Sequence, residues 1–234
     1  MNIYTYDANI IQKKLRVFWL EICNDLDFVL LEQIRKMFEA QTPQYIFQKD
    51  MMRHTCAILL AVYAWKKEYS EFPFTMILRD LNGKPYFSNC SDKKHMLYFN
   101  LTHSGDIAMC VTGASEVGAD IEQIQKIPTQ VAKRYFDLTE QEKFFKTTLD
   151  KQDEVFYQIW TKKESLLKAI GLGLRGLGKN VENDWICTPL FIREGYAASV
   201  CCKGEYSVLI ESISSNDLMG FCQNICNNER GDGG

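Results

Sequence analysis

Two short acidic segments, about forty residues apart, carry the residues best suited to chemistry. The first contains Asp120 and Glu122, two residues apart, and the second contains Glu164 and Lys168, four residues apart. Residues at i and i+2 share one face of a strand, and residues at i and i+4 share one face of a helix. Three carboxylates that converge with a lysine can hold a divalent cation and a phosphate ester.

Each pair also has a simpler interpretation. Asp120 and Glu122 could form a solvated strand face, and Glu164 and Lys168 could form a surface ion pair worth about 0.3–0.5 kcal/mol. Trp160 lies four residues before Glu164 and shares its helical stripe. Because Trp160 should lie in the core, the side chains of Glu164 and Lys168, which follow it on the same helical face, are expected to point into a seam between packed elements. There the lysine could hold a phosphate as a point charge.

Four further residues are weaker candidates. His103 follows a predicted strand, where loops often carry ligand contacts, although a turn histidine with a satisfied hydrogen bond is an equally good interpretation. Lys84 lies in an exposed turn and could contact a phosphate. Arg53 shares one helical turn with Asp50, a spacing that usually indicates a local ion pair. His54 has no acidic or cysteine partner at ligand spacing, and we interpret it as structural.

Composition narrows the classes of function. A net charge of −3 gives no support for sequence-independent nucleic-acid binding, which needs a basic field. The nine cysteines lack the spacing of a zinc site, and the first residues do not resemble a charged-then-apolar secretory signal. We therefore expect reduced thiols and a cytoplasmic location. The longest apolar run, Ala57–Trp65, is less than half of a membrane span, so no membrane partner is expected.

Hydrophobic periodicity predicts helices and strands in alternating blocks. Apolar residues at helical spacing predict two helices between Ile10 and Ala40 and a third over Asp50–Glu68. After the last predicted helix, the segment Trp185–Gln223 consists of short strand-like runs. The predicted strands are Met1–Tyr6, Phe74–Leu78, Leu97–Leu101, Ile107–Thr112, Val117–Glu122, Ala197–Cys202 and Tyr206–Ile210, and the later helices are Pro128–Tyr135, Thr139–Thr147 and Glu154–Ile170.

The order of these elements is roughly duplicated, which predicts an α+β fold of two similar halves. We place the N-terminal half at residues 1–114, the C-terminal half at residues 115–226 and a loose tail at residues 227–234. No Pro- or Ser-rich linker separates the halves, so they should pack tightly. A seam between two halves is a favoured place for a ligand site.

An ordered set of motifs resembles one known family. No P-loop, dinucleotide fingerprint or nucleophile elbow is present. The set is similar to that of the 4′-phosphopantetheinyl transferases of the surfactin-synthetase-associated type, with Ala119 in place of a larger aliphatic residue. The matching motifs are Asp50-x-x-Arg53, Gly83-Lys84-Pro85, Asn100-Leu101-Thr102-His103-Ser104-Gly105, Gly118-Ala119-Asp120-Ile121-Glu122, Arg134-Tyr135-Phe136 with Glu140, and Trp160-Thr161-Lys162-Lys163-Glu164-Ser165 with Lys168.

The resemblance implies a fold and a reaction. The fold has two pseudo-symmetric α+β halves with the active site at their interface, usually in a monomer. The reaction transfers the 4′-phosphopantetheine group of coenzyme A to a serine of an apo acyl or peptidyl carrier protein and releases adenosine 3′,5′-bisphosphate. Two alternatives stay open: a Mg²⁺-dependent phosphohydrolase, and a non-catalytic carrier-binding protein with the same fold.

The resemblance also implies roles for the matching residues. Asp120, Glu122 and Glu164 would bind Mg²⁺, or Mn²⁺, on the coenzyme A pyrophosphate. Glu164 would also take the proton of the incoming serine, and Lys168 would neutralise charge on the pyrophosphate. The phosphates and the adenosine end would be contacted by Arg53, Lys84, Thr102 and His103.

Overall fold

Strands and helices alternate in blocks in the computed structural model, which describes residues 13–39, 45–70, 76–88, 96–127, 129–173 and 184–231. The predicted strand over Met1–Tyr6 lies outside these residues. The α+β class is confirmed. In chain order the elements are β1 (Lys13–Glu21), α1 (Phe28–Phe38), α2 (Gln48–Glu68), β2 (Ile77–Arg79), β3 (Pro85–Phe87), β4 (Tyr98–Ser104), β5 (Ile107–Gly113), β6 (Val117–Gln123), α3 (Thr129–Tyr135), α4 (Leu138–Lys146), α5 (Gln152–Ala169), β7 (Trp185–Leu190), β8 (Tyr196–Lys203), β9 (Tyr206–Ser212) and α6 (Ser215–Gly231).

The first predicted helix is wrong, because β1 occupies that part of the chain. β1 lies between β5, its antiparallel neighbour, and β9, its parallel neighbour. It buries both faces: Leu15 and Val17 pack into one apolar cluster, while Phe18 and Leu20 pack into another. A strand buried on both faces loses the apolar–polar alternation, so its apolar residues also fit helical spacing. The second predicted helix is confirmed as α1, which Asp27 caps.

Two sheets form the framework of the two halves. The larger sheet has the order β4-β5-β1-β9, the smaller has the order β6-β8-β7, and β2 and β3 form a separate hairpin. Helix α2 packs against the larger sheet, and α5 packs against the smaller one. Strands β4 and β6 are edges of different sheets that lie side by side. Their contact forms a seam between the halves.

Elements from the end of the chain complete the first half. Besides the pairing of β9 with β1, α6 places Leu218 and Cys222 in the apolar cluster around α1 and α2. Sequence analysis predicted no helix here, whereas α6 includes residues 227–231 of the predicted tail. The predicted boundary at residue 114 falls between β5 and β6 and stays a prediction. Within the described ranges, no helix is long and apolar enough to cross a membrane.

Candidate active site

Strand β6 presents the acidic pair on the face predicted from its alternation. Val117, Ala119 and Ile121 point into the apolar cluster between the sheets. Asp120 and Glu122 leave the opposite face, toward the long helix α5. Gly118 shares that face and lets the helix backbone lie against β6. The strand can therefore bring its carboxylates next to the side chains of α5.

Lys168 on α5 is in direct contact with Asp120. Its Nζ atom donates to Asp120 Oδ1 at 2.6 Å and to Thr102 Oγ1 at 3.3 Å. Asp120 is only 3 % exposed, and its Oδ2 atom has no hydrogen-bond partner among the described residues. Burial raises the pKa of Asp120, and the nearby Lys168 partly offsets this effect. The orphaned oxygen identifies a buried position that suits a positive charge.

The three predicted carboxyl groups share this one ammonium group. Burial, then the charge of Asp120, raises the pKa of Glu164, which lies one helical turn before Lys168. Burial also raises the pKa of Glu122, with Asp120 and Glu164 adding to the effect and Ser104 opposing it. Among the described residues, no group of three or more His, Cys, Asp or Glu side chains is arranged to hold a metal ion, and this includes the three predicted carboxylates. A cation here would therefore need water or substrate oxygens as further ligands, which magnesium accepts.

A cavity of about 370 Å³ opens beside these groups, within the usual size range of ligand pockets. It lies between the β2–β3 hairpin, β4 and α5. Six of the eight predicted site residues line it: Lys84, Thr102, His103, Asp120, Glu122 and Lys168. Neither Arg53 nor Glu164 is part of its wall. The guanidinium of Arg53 instead donates to Gly105 O at 2.6 Å and to Asp50 at 2.8 Å, and Arg53 lines a second cavity whose described lining residues differ from those of the first.

Two of the predicted phosphate contacts, Lys84 and His103, differ in charge. Lys84 is paired with Glu116 and donates to the backbone oxygen of Ala169 at 2.8 Å, so it links the β2–β3 hairpin to the end of α5. Burial, reinforced by the positive charges around it, lowers the pKa of His103 to about 4. At neutral pH the imidazole of His103 is therefore uncharged and offers hydrogen bonds instead of a positive charge.

Sequence analysis missed a buried charge cluster in the cavity wall. The carboxylate of Glu39 lies 2.9 Å from Arg35, Arg79 and His54. Burial alone would raise the pKa of Glu39, but the hydrogen bonds with these three residues outweigh it and lower the pKa. Arg79 and His54 both line the cavity, and the structural role of His54 stays a prediction. The sequence feature that could have pointed to this cluster is Arg79, which lies in the same hairpin as Lys84.

Comparison with known families assigns both halves. The model of the "4'-phosphopantetheinyl transferase, N-terminal" family matches residues 19–116, and the model of the "4'-phosphopantetheinyl transferase superfamily" matches residues 116–215. The two matches meet at residue 116 and together cover most of the chain. The chain belongs to the 4′-phosphopantetheinyl transferase superfamily. Its two α+β halves, with a cavity at their seam, agree with the fold that the resemblance implied.

Individual members of the superfamily are similar over shorter stretches. The 4′-phosphopantetheinyl transferase Sfp of Bacillus subtilis is 36 % identical over 92 residues, which is 39 % of each chain. The protein AcpT of Escherichia coli is 37 % identical over 102 residues, or 42 % of this chain and 50 % of its own. The protein gsp of Aneurinibacillus migulanus is 26 % identical over 166 residues, or 68 % and 67 %. The chain thus spans about two fifths of the length of the first of these relatives.

The raised carboxyl pKa values in this superfamily member predict a pH dependence of stability. A carboxyl group with a higher pKa in the folded than in the unfolded protein favours folding at low pH, and this contribution is lost as the pH rises through the folded-state pKa. The variant Glu122→Gln has no carboxyl group at this position, so its stability does not fall in this way as the pH rises. In thermal unfolding without divalent cations, its Tm should therefore rise relative to the parent protein as the pH increases above 4.5, the ordinary value for the group. A constant difference up to about pH 8 would contradict the prediction.

Proposed function

We propose that this protein transfers the 4′-phosphopantetheine group of coenzyme A to a serine of an apo acyl or peptidyl carrier protein. The observation that carries the proposal is the seam cavity, where Asp120 and Glu122 of one half meet Lys84 and His103 of the other. A pyrophosphate ester needs both charge neutralisation and hydrogen-bond donors, and this cavity offers both. The names of the similar proteins support the same activity.

Coenzyme A would lie in this cavity with its pyrophosphate beside Lys168. That lysine is partly exposed and now pairs with Asp120, so its ammonium is already at the acidic end of the cavity. His103, Thr102 and Lys84 would contact the phosphates from the other walls. Arg53 lines a second cavity, and by the motif resemblance it would contact the phosphates or the adenosine end of the ligand.

Mg²⁺, or Mn²⁺, would be held by Asp120, Glu122 and Glu164, which would have to come closer together than they stand among the described residues. The donor set consists of carboxylate oxygens, which hard cations prefer, and Asp120 Oδ2 is buried without a partner among the described residues. When all three carboxylates are ionised, the single positive charge of Lys168 does not neutralise them, and the group keeps a net negative charge. When bound, the cation would supply charge neutralisation for the pyrophosphate and its leaving group.

The reaction needs a base for the serine hydroxyl. The oxygen of the serine hydroxyl would form a bond to the phosphorus that carries the pantetheine arm. At the same time, the bond between that phosphorus and the oxygen of the leaving phosphate would break. The leaving group is adenosine 3′,5′-bisphosphate. Glu164 would accept the serine proton, and its raised pKa makes it a stronger base than an exposed glutamate. Lys168 would offset the charge that develops on the leaving phosphate.

The carrier protein would dock on the helices that follow β6. Lys133 and Arg134 are exposed on α3, and Leu138 and Phe145 of α4 are 85 % and 42 % exposed. This surface combines positive charge for an acidic carrier helix with apolar side chains for contact. We place the reaction in the cytoplasm and expect the protein to act as a monomer, without a nucleic-acid or membrane partner.

The test is incubation with coenzyme A, Mg²⁺ and an apo carrier protein, followed by mass spectrometry of the carrier. We expect the mass of the carrier to increase by one phosphopantetheine group, with a matching release of adenosine 3′,5′-bisphosphate. A carrier whose active serine is replaced by alanine is the control. No mass gain across acyl and peptidyl carriers would contradict the proposal, and coenzyme A cleavage without a carrier would indicate a phosphohydrolase.

A further inference from the structure

A regular set of side-chain hydrogen bonds joins the edge strands β4 and β6, which belong to different sheets. Every second side chain of β4 provides an oxygen that accepts a backbone N–H of β6. We call this set the seam ladder. Its three hydrogen bonds run from Ala119 N to Asn100 Oδ1 at 3.1 Å, from Ile121 N to Thr102 Oγ1 at 3.3 Å, and from Gln123 N to Ser104 Oγ at 3.1 Å.

The two hydroxyl groups of the seam ladder also reach the acidic pair. Thr102 Oγ1 donates to Asp120 Oδ1 at 3.3 Å, and Ser104 Oγ donates to Glu122 Oε2 at 2.7 Å. A hydroxyl has a single hydrogen. Each hydroxyl oxygen accepts a hydrogen bond from a backbone N–H of β6. The hydroxyl hydrogen is therefore free to point at the carboxylate. The ladder therefore sets the register of the seam and the orientation of both carboxylates together.

Asp120 and Glu122 differ in how they are held. Asp120 is buried and is fixed by Lys168 as well as by Thr102. Glu122 is longer and less buried, and the hydrogen bond from Ser104 is the shorter of the two hydroxyl–carboxylate contacts. A free glutamate side chain loses rotamer freedom when it binds a ligand. Ser104 restricts that freedom before any ligand arrives.

We propose that Ser104 is a positioning residue that holds Glu122 in its cation-binding orientation. The proposal rests on the proposed function, because it takes Glu122 as a ligand of the divalent cation. Ser104 orients the carboxylate through Oε2 without binding the cation itself. Hydrogen-bond partners of metal ligands typically change metal affinity by about 10–100-fold when they are removed. Ser104 should therefore act on metal affinity first and on seam stability second.

The test compares two variants that each remove one oxygen from the seam ladder. Ser104→Ala removes the contact with Glu122, whereas Asn100→Ala removes a ladder bond that reaches no carboxylate. Mn²⁺ binding is followed by electron paramagnetic resonance, with and without coenzyme A, and Tm is measured alongside. We expect about a 10-fold weaker Mn²⁺ affinity for Ser104→Ala, the parental affinity for Asn100→Ala and partial rescue by Ser104→Thr.

Three results would overturn the proposal. Unchanged Mn²⁺ affinity in Ser104→Ala would show that Glu122 needs no help from Ser104, even if transfer to the carrier protein is observed. An equal loss of affinity in Asn100→Ala would assign the effect to the seam as a whole. A parent protein that binds no Mn²⁺ under either condition would overturn the metal assignment of the proposed function, and the role of Ser104 with it.

A separate observation concerns two thiols on the sheet behind α5. Cys187 of edge strand β7 and Cys201 of β8 are directly opposite each other in register, with their Sγ atoms 2.9 Å apart. Directly opposed residues of antiparallel strands have Cα separations that a disulfide can span. Cys187 is partly exposed, so an oxidant can reach the pair, while Cys201 is buried.

We propose that Cys187 and Cys201 form an oxidisable pair that a peroxide converts to a disulfide. The thiolate of Cys187 attacks hydrogen peroxide, which gives a sulfenic acid and hydroxide; the thiol of Cys201 then displaces the sulfenic hydroxyl as water and forms the S–S bond. Cys187 is the thiol that reacts first, because it is the more exposed of the two. Its contact with Cys201, with Ser165 and Lys162 acting in the same direction against burial, also lowers the pKa of Cys187.

Peptide mapping after peroxide treatment tests this pair. We expect a crosslinked peptide that contains Cys187 and Cys201, its reversal by dithiothreitol, and its absence from Cys187→Ser. Cys56, buried in the other half, is the internal control and should remain available for alkylation after denaturation. Quantitative alkylation of both Cys187 and Cys201 in the peroxide-treated, then denatured, parent protein would overturn the proposal, whether or not the variant folds.

Discussion

Replacing Glu164 with glutamine is expected to lower the rate of transfer to the carrier protein by a factor of about 10²–10⁴, the range for loss of a general base. The amide keeps the shape of the side chain but cannot accept a proton from serine at neutral pH. The change also removes one of the negative charges that would hold the cation. The measurement is the initial rate of carrier mass gain at saturating coenzyme A, repeated over a range of Mg²⁺ concentrations.

The Mg²⁺ series separates the two roles of Glu164. If Glu164 acts only as a ligand, excess Mg²⁺ should restore the rate of the variant; loss of a base should persist at every concentration. Glu205→Gln is the matched control, because Glu205 is an exposed glutamate in the turn between β8 and β9. A Glu164→Gln variant with the parental rate would exclude both roles.

Replacing Gly118 with alanine is expected to disrupt the site without changing any charged residue. A Cβ atom at this position would overlap backbone atoms of Ser165 and Ala169 on α5. Backbone atoms cannot rotate away as a side chain can, so the helix would have to move off β6. Overpacking of this kind typically costs about 1–3 kcal/mol of stability. Lys168 lies between the two overlapped residues, so its contact with Asp120 should be lost as well.

Chemical denaturation and the carrier assay together measure both effects. The same substitution at Gly220 is the control, because that glycine lies inside α6 and a Cβ atom there would meet nothing within 4 Å. Alanine in an open helical position should raise stability by about 0.5–1 kcal/mol. If Gly118→Ala folds as stably as the parent and transfers at the same rate, the close packing of α5 on β6 is not needed.

Residue spacing was enough to predict which side chains of the site share a face of one strand or one helix. Alternation placed Asp120 and Glu122 on one face of β6, with apolar residues on the other face, and the structure has this arrangement. A spacing of four placed Glu164 and Lys168 one turn apart on α5. The motif resemblance identified the family. These predictions depend on the geometry of one element at a time, which residue spacing specifies.

Contacts between elements that are distant in the sequence set which faces pack together. β1 is a strand because two neighbouring strands bury it on both faces, although its apolar spacing also fits a helix. Arg53 lies on the predicted helix but binds Gly105 O beside a second cavity. The hydroxyls of Thr102 and Ser104 join β4 to β6. Spacing determines the direction in which a side chain leaves its own element, but its partner comes from long-range packing, which single-sequence periodicity does not encode.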